Sequence, residues 1–162
     1  MSAHTSILDN ILEPLSQSRV ELLAAFKSVS DEYFNTSPVG TVQKDVFEDW
    51  SICEIVWYVG ALDDVSRLRI NDLAAGREAR TGQTSRRPEH VSNVKVMLVW
   101  LNQSRAALRS SISRIAKNQL QGEPLLFKEN LSQYEIILDE IIATENMSTR
   151  RVLDLVEMFR DE

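Results

Sequence analysis

Residues Glu48 to Leu73 read EDWSICEIVWYVGALDDVSRLRINDL, and the spacing within this stretch decides the fold class. Ile52, Ile55, Val59, Leu62 and Leu73 recur at the period of a helix with one apolar face, interrupted in the middle by polar residues. The start of that helix is marked. Ser51 predicts an N-cap whose hydroxyl accepts from the free amide of Glu54, and Glu54 can reach back to the Ser51 amide to close a capping box. Glu48 and Asp49 precede the cap, where the positive end of the helix dipole favours acids. Trp50 is placed to staple the incoming chain onto the first turn. The helix is expected to end near Ala75–Gly76.

Outward from this helix the same period recurs three more times. A first helix is predicted over Ser6–Val29, with Leu8, Ile11, Leu15, Ser18, Leu22, Ala25/Phe26 and Val29 as its stripe. Pro14 predicts a kink in it, or an effective start near Glu13. The turn residues of Asp31–Thr41 end it, and Gln43–Asp49 is a short acidic approach to the second helix. After that helix, Gly76–Glu89 (GREARTGQTSRRPE) reads as a solvated loop, with a mobile lid or an anion-binding patch as the functional alternative. A third helix is predicted from Ser92 to Lys117, capped by Ser92 or Asn93. Its stripe is Val94, Met97, Leu101, Ser104, Leu108, Ile112 and Ile115, with Arg105, Arg109 and Arg114 beside or opposite it. Gln119–Leu131 reads as a connection whose Leu125, Leu126 and Phe127 pack across one end. The last helix is expected to begin at a Ser132–Glu135 box and to run to Arg160. Its stripe is Tyr134, Ile137, Ile141, Thr144, Ser148, Val152, Leu155 and Phe159. Four long helices, each apolar on one side, predict an all-α fold: a single four-helix bundle domain over residues 1–162 with crossover connections.

Composition agrees. The chain of 162 residues is 43% hydrophobic, enough for one buried core, and holds only 5 Gly and 4 Pro. Few turns mean few, long elements, against a β-sandwich with a turn every ~8–12 residues. A net charge of −6 argues against a general nucleic-acid binder, which needs a basic face. Cys53 is the single cysteine, so no internal disulfide framework exists. No apolar run of ~18 residues predicts a membrane span. The N-terminus has no basic segment followed by an apolar one, so a cytoplasmic location is the default expectation.

The residues that depart from this pattern are the candidates for function. Thr144 and Ser148 occupy stripe positions one turn apart, with Glu145 adjacent. Buried Ser and Thr can bond the carbonyl four residues back, which is their structural explanation. Tyr58 lies near the middle of the inward side, where a core aromatic with its hydroxyl at a rim is the plain reading. Trp50, Trp57 and Trp100 read first as core or interface packing. Glu54 is explained by the capping box. Asp63 and Asp64 are expected on a solvated face, a carboxylate-only magnesium or calcium site being the lesser alternative. Cys53 reads as a small packed residue. His4 and His90 have no His partner at helical spacing.

Trp50-Ser51-x-x-Glu54-x-Val56-x-Tyr58-Val59 resembles the second-helix signature of the DinB/YfiT-like four-helix bundle superfamily. Ala143-Thr144-Glu145-x-x-Ser148, followed by Arg151-Val152, resembles its last-helix signature. The resemblance implies the bundle fold, and it implies a divalent metal held by one His of the second helix and two of the last. Those positions here are Tyr58, Thr144 and Ser148. Neutral hydroxyls are poor ligands for zinc or nickel, and a tyrosine ligates only as phenolate. No metal and no cofactor are therefore expected. The leading expectation is a ligand pocket at Tyr58, Thr144 and Ser148, with Glu54, Trp57 and Glu145 as candidate neighbours, in a small-molecule-binding or non-catalytic protein. The alternatives are a family-type enzyme, a thiol-dependent transferase or metal-free hydrolase working through carboxylates in that pocket, and a homodimeric interaction module using Trp57, Trp100 and Met97.

Overall fold

The computed structural model describes residues 3–38, 49–82, 91–122 and 124–161. Five helices follow in order: α1 (Ala3–Phe26), α2 (Asp31–Phe34), α3 (Ile52–Ala74), α4 (Val94–Gly122) and α5 (Pro124–Arg160). Among the described residues there is no strand. The all-α expectation holds, and four of the helices are long.

The start of α3 follows its sequence closely. Ser51 is the N-cap and its hydroxyl oxygen accepts from Glu54 N at 3.2 Å. The second half of the box differs, because the Glu54 carboxylate accepts from the Ser51 hydroxyl instead of the amide. Trp50 packs on the core and meets Tyr58 edge-on, 5.6 Å between ring centroids. At the other end Gly76 takes φ +74, a left-handed conformation that favours glycine at a helix C-terminus. Asn93 caps α4, its Oδ1 accepting from Lys95 N and Val96 N.

Three expectations are corrected. Of the two alternatives at Pro14, the start near Glu13 is excluded, because α1 runs from Ala3 through Pro14 to Phe26. The turn-rich stretch after α1 contains α2, because Ser30 caps it by accepting from Tyr33 N and Phe34 is buried completely. The last helix begins at Pro124, not at Ser132, so that a single residue, Glu123, separates α4 from α5. Proline is preorganised for the first position of a helix and lacks only a donor that would be idle there. The side chains of Leu125, Leu126 and Phe127, and with them their expected packing, are not described; Gln43–Glu48 and most of the arginine-bearing loop after α3 lie outside the described residues.

Packing is most extensive between α3 and α4, between α1 and α5, and between α3 and α5. Successive long helices α1 and α3 are not close neighbours; α1 rests mainly on α5 and to a lesser extent on α4. Gly60 lets α3 and α4 approach closely, since a Cβ there would collide with the Trp100 indole at Nε1. Trp100 lies over that glycine and stacks on Trp57 at 4.7 Å. The buried apolar residues form two clusters. One holds Leu22, Phe26, Phe34, Ile55, Val59, Met97, Leu101, Val152 and Leu155 among others, and the other holds Leu15, Leu62, Leu108, Ile112, Leu138 and Ile141 among others.

Candidate functional site

Between the two clusters lies a buried set of charges, one from each long helix. On α1 Arg19 falls between Leu15 and Leu22, and on α4 Arg105 falls between Leu101 and Leu108. On α5 Glu145 falls between Ile141 and Val152, and on α3 Asp63 follows Leu62. Asp63 and Glu145 are 0% exposed, and the two arginines 4%. Arg19 gives Nη2 to Asp63 at 2.8 Å and Nε to Glu145 at 2.7 Å. Arg105 gives Nε and Nη2 to Asp63 at 3.2 and 3.1 Å, and Nη2 also to Glu145 at 3.1 Å. The remaining Nη1 groups donate to backbone carbonyls, Arg19 to Leu101 and Arg105 to Leu15. Ser18 donates its hydroxyl to Glu145, and Ser104 donates to Asp63 at 3.1 Å. Two cations and two anions sum to zero, and the arginine forks meet the carboxylates directly, which offsets much of the desolvation cost.

This quartet corrects the expectation that Asp63 lines a solvated face. It also gives Glu145 a use other than a pocket wall. The signal was faint but present. Ser18 and Ser104 stood in apolar stripes, Arg19 and Arg105 follow them directly, and Asp63 lies one turn after Val59. What the sequence could not give was the pairing across helices.

The sequence-predicted positions are placed as follows. Ser148 is fully buried and donates its hydroxyl to Thr144 O at 2.7 Å. Thr149 likewise donates to Glu145 O. Both are the backbone return bonds that let hydroxyls sit inside a helix bundle. Thr144 is half-buried, and Tyr58 is half-buried against Trp50. Glu54 stays at the N-terminus of α3, and Trp57 stacks on Trp100, toward α4. Cys53 is buried, as expected of a packed thiol. Met97 is buried completely, so it is not available to a dimer face. Among the described residues no three His, Cys, Asp or Glu side chains are grouped to hold a metal ion. Among the described residues, too, no helix is long and apolar enough to cross a membrane.

Two open hollows adjoin on the outer seam of α1 and α5. One, of about 590 Å³, is lined by Glu21, Ala24, Ala25, Asn146, Thr149, Arg150 and Leu153. The next, of about 570 Å³, shares Ala24, Ala25 and Leu153 and continues to Tyr33 and Phe159.

Beyond α3, Asp72 holds the following segment. Its carboxylate accepts from Arg80 N, Nε and Nη2 and from Arg77 Nη2, and Arg69 donates to the carbonyls of Arg80 and Gly82. Arg77 and Arg80 are thus engaged within the chain, which speaks for the structural reading of this loop. The Arg80 bonds, helped by Arg77, hold the Asp72 carboxyl well below its usual range. A depressed folded-state pKa contributes stability above the unfolded value of about 3.9 and loses it as pH falls. The wild-type advantage over Asp72→Asn in urea melts is therefore expected to be constant above about pH 4 and to shrink below it. An advantage that grew on acidification would refute this assignment. Asp64, next to the quartet but half-buried, is raised, first by burial and further by Asp63, against the pull of Arg67.

No family model matches the chain, and no curated protein or solved structure matches it.

Proposed function

We propose that the chain is a DinB-like four-helix bundle that has lost the family's metal site and serves a small-molecule-binding or non-catalytic role. The observation that supports this reading is the condition of the metal-ligand positions. Ser148 returns its hydroxyl to its own backbone, Tyr58 lies against Trp50, and the neighbouring carboxylate, Glu145, has its oxygens taken up by Ser18, Arg19 and Arg105. A carboxylate engaged in this way is poorly placed for acid–base work, which needs it within reach of a substrate proton. A second reading, a homodimer, is favoured by the outer face of α4, where Val96 and Val99 are about half exposed beside the Trp57–Trp100 stack.

The test is metal uptake. Wild-type protein incubated with nickel, zinc or magnesium is expected to carry near-zero metal by elemental mass spectrometry. The triple variant Tyr58→His, Thr144→His, Ser148→His is expected to take up nickel or zinc, since it restores three imidazoles at the family's positions. A folded triple variant without metal affinity would break the alignment to the family. Stoichiometric metal in the wild type would put the enzyme reading ahead.

A further inference from the structure

Arg151 differs from the buried Arg19 and Arg105, and from Arg67, of which Nε alone is buried without a partner among the described residues. On α5 it lies three residues after Ser148 and seven after Thr144, so the three share a side of the helix. Leu155, one turn further, belongs to the apolar cluster that holds Phe26 and Phe34. The Arg151 side chain is half-buried, and its Nε and Nη2 are both buried without a hydrogen-bond partner among the described residues. Arg19 and Arg105 show what this protein does with an internal guanidinium: their Nε and Nη groups are bonded to carboxylates and carbonyls. Arg151 has the same chemistry and lacks the acceptor.

A buried donor on a charged group that goes unsatisfied is costly, so such an edge persists where something else satisfies it. The Nε–H and Nη2–H bonds of a guanidinium are parallel. Together they form the fork that fits two oxygens of one carboxylate or phosphate. The residue as a whole is half-buried, so part of the side chain meets solvent.

We propose that Arg151 is the anchor of an oxyanion site, taking the carboxylate or phosphate group of a small organic ligand on the Thr144/Ser148 side of α5. The proposal deepens the binding reading above and rests on it, by naming the charge that the ligand must carry. The ligand's second oxygen falls to the Nη2 edge, and no metal is involved.

The experiment measures thermal unfolding of the full chain in chloride, acetate or phosphate at matched ionic strength. Wild-type protein, Arg151→Met and Arg151→Lys are compared. A ligand that binds only the folded state raises Tm. In wild type, acetate or phosphate is expected to raise Tm above the chloride value, and which of the two acts tells carboxylate from phosphate recognition. Arg151→Met is expected to lose that rise. In chloride it is expected to melt about 3 °C higher than wild type, because unsatisfied donors have been removed at similar volume. Arg151→Lys, which keeps the charge without the fork, is expected to show a weaker rise, and it carries the test if the Met variant fails to fold. A wild type that responds to neither anion overturns the proposal. So does an Arg151→Met or Arg151→Lys variant with the full wild-type response. These readings use no metal, so a failed histidine graft and a failed anion response remain separable.

Discussion

Asp63→Ala is expected to cost about 3–5 kcal/mol of folding stability, the usual loss when one partner of a buried ion pair is removed. Asp63 accepts from both arginines and from Ser104. Its loss leaves two guanidinium groups buried with Glu145 as their single carboxylate. A domain of this size has about 5–15 kcal/mol in total, so the variant should be partly unfolded under mild denaturation. The physical cause is the stranded charge, not the loss of an attraction. That distinction gives the control. Replacing all four charges together (Arg19→Met, Asp63→Leu, Arg105→Met, Glu145→Leu) should be near neutral or stabilising by about 1–4 kcal/mol. Urea unfolding of both variants decides it. If the fourfold variant falls as far as the single one, the quartet supplies stability outright and the stranded-charge account fails. The quartet ties all four long helices together at one level, between the two apolar clusters.

Phe26→Ala is expected to cost about 3–5 kcal/mol, as for other large core aromatics. Phe26 is 0% exposed and stacks on Phe34 at 5.6 Å. Its removal also strikes α2. That helix has four residues, far below the length at which a helix stands alone. It persists because Phe34 rests on Phe26, Tyr33 stacks on Phe159 at 5.2 Å, and Asp31 accepts from Val94 N and Asn93 Nδ2 at the start of α4. Tyr33 in turn lines the far hollow of the α1/α5 seam. Besides the shift in urea midpoint, amide exchange at Phe34 and Asn35 should rise well beyond what global destabilisation accounts for. Exchange there that merely tracks global stability would mean that α2 is anchored by its contacts to α4 instead.

The sequence by itself determined the local structure. Ser51 and Glu54 placed the start of α3, Gly76 its end, and Asn93 the start of α4, because caps and left-handed glycines act within one turn of the chain. The apolar stripes identified the four long helices and most of the buried apolar core for the same reason: a helical period is a local property. The sequence reading failed where the deciding partner was distant. Ser132–Glu135 has the spacing of a helix start, yet α5 already runs through it from Pro124. Asp63 read as solvent-facing because a lone acid one turn beyond Val59 gives no sign of the two arginines that meet it. Only the tertiary structure brought Arg19, Asp63, Arg105 and Glu145 into one closed network, left the fork of Arg151 without an acceptor among the described residues, and set Trp100 over Gly60. Each of these depends on which helix faces which, and at what height, and the period of a single helix does not contain that information.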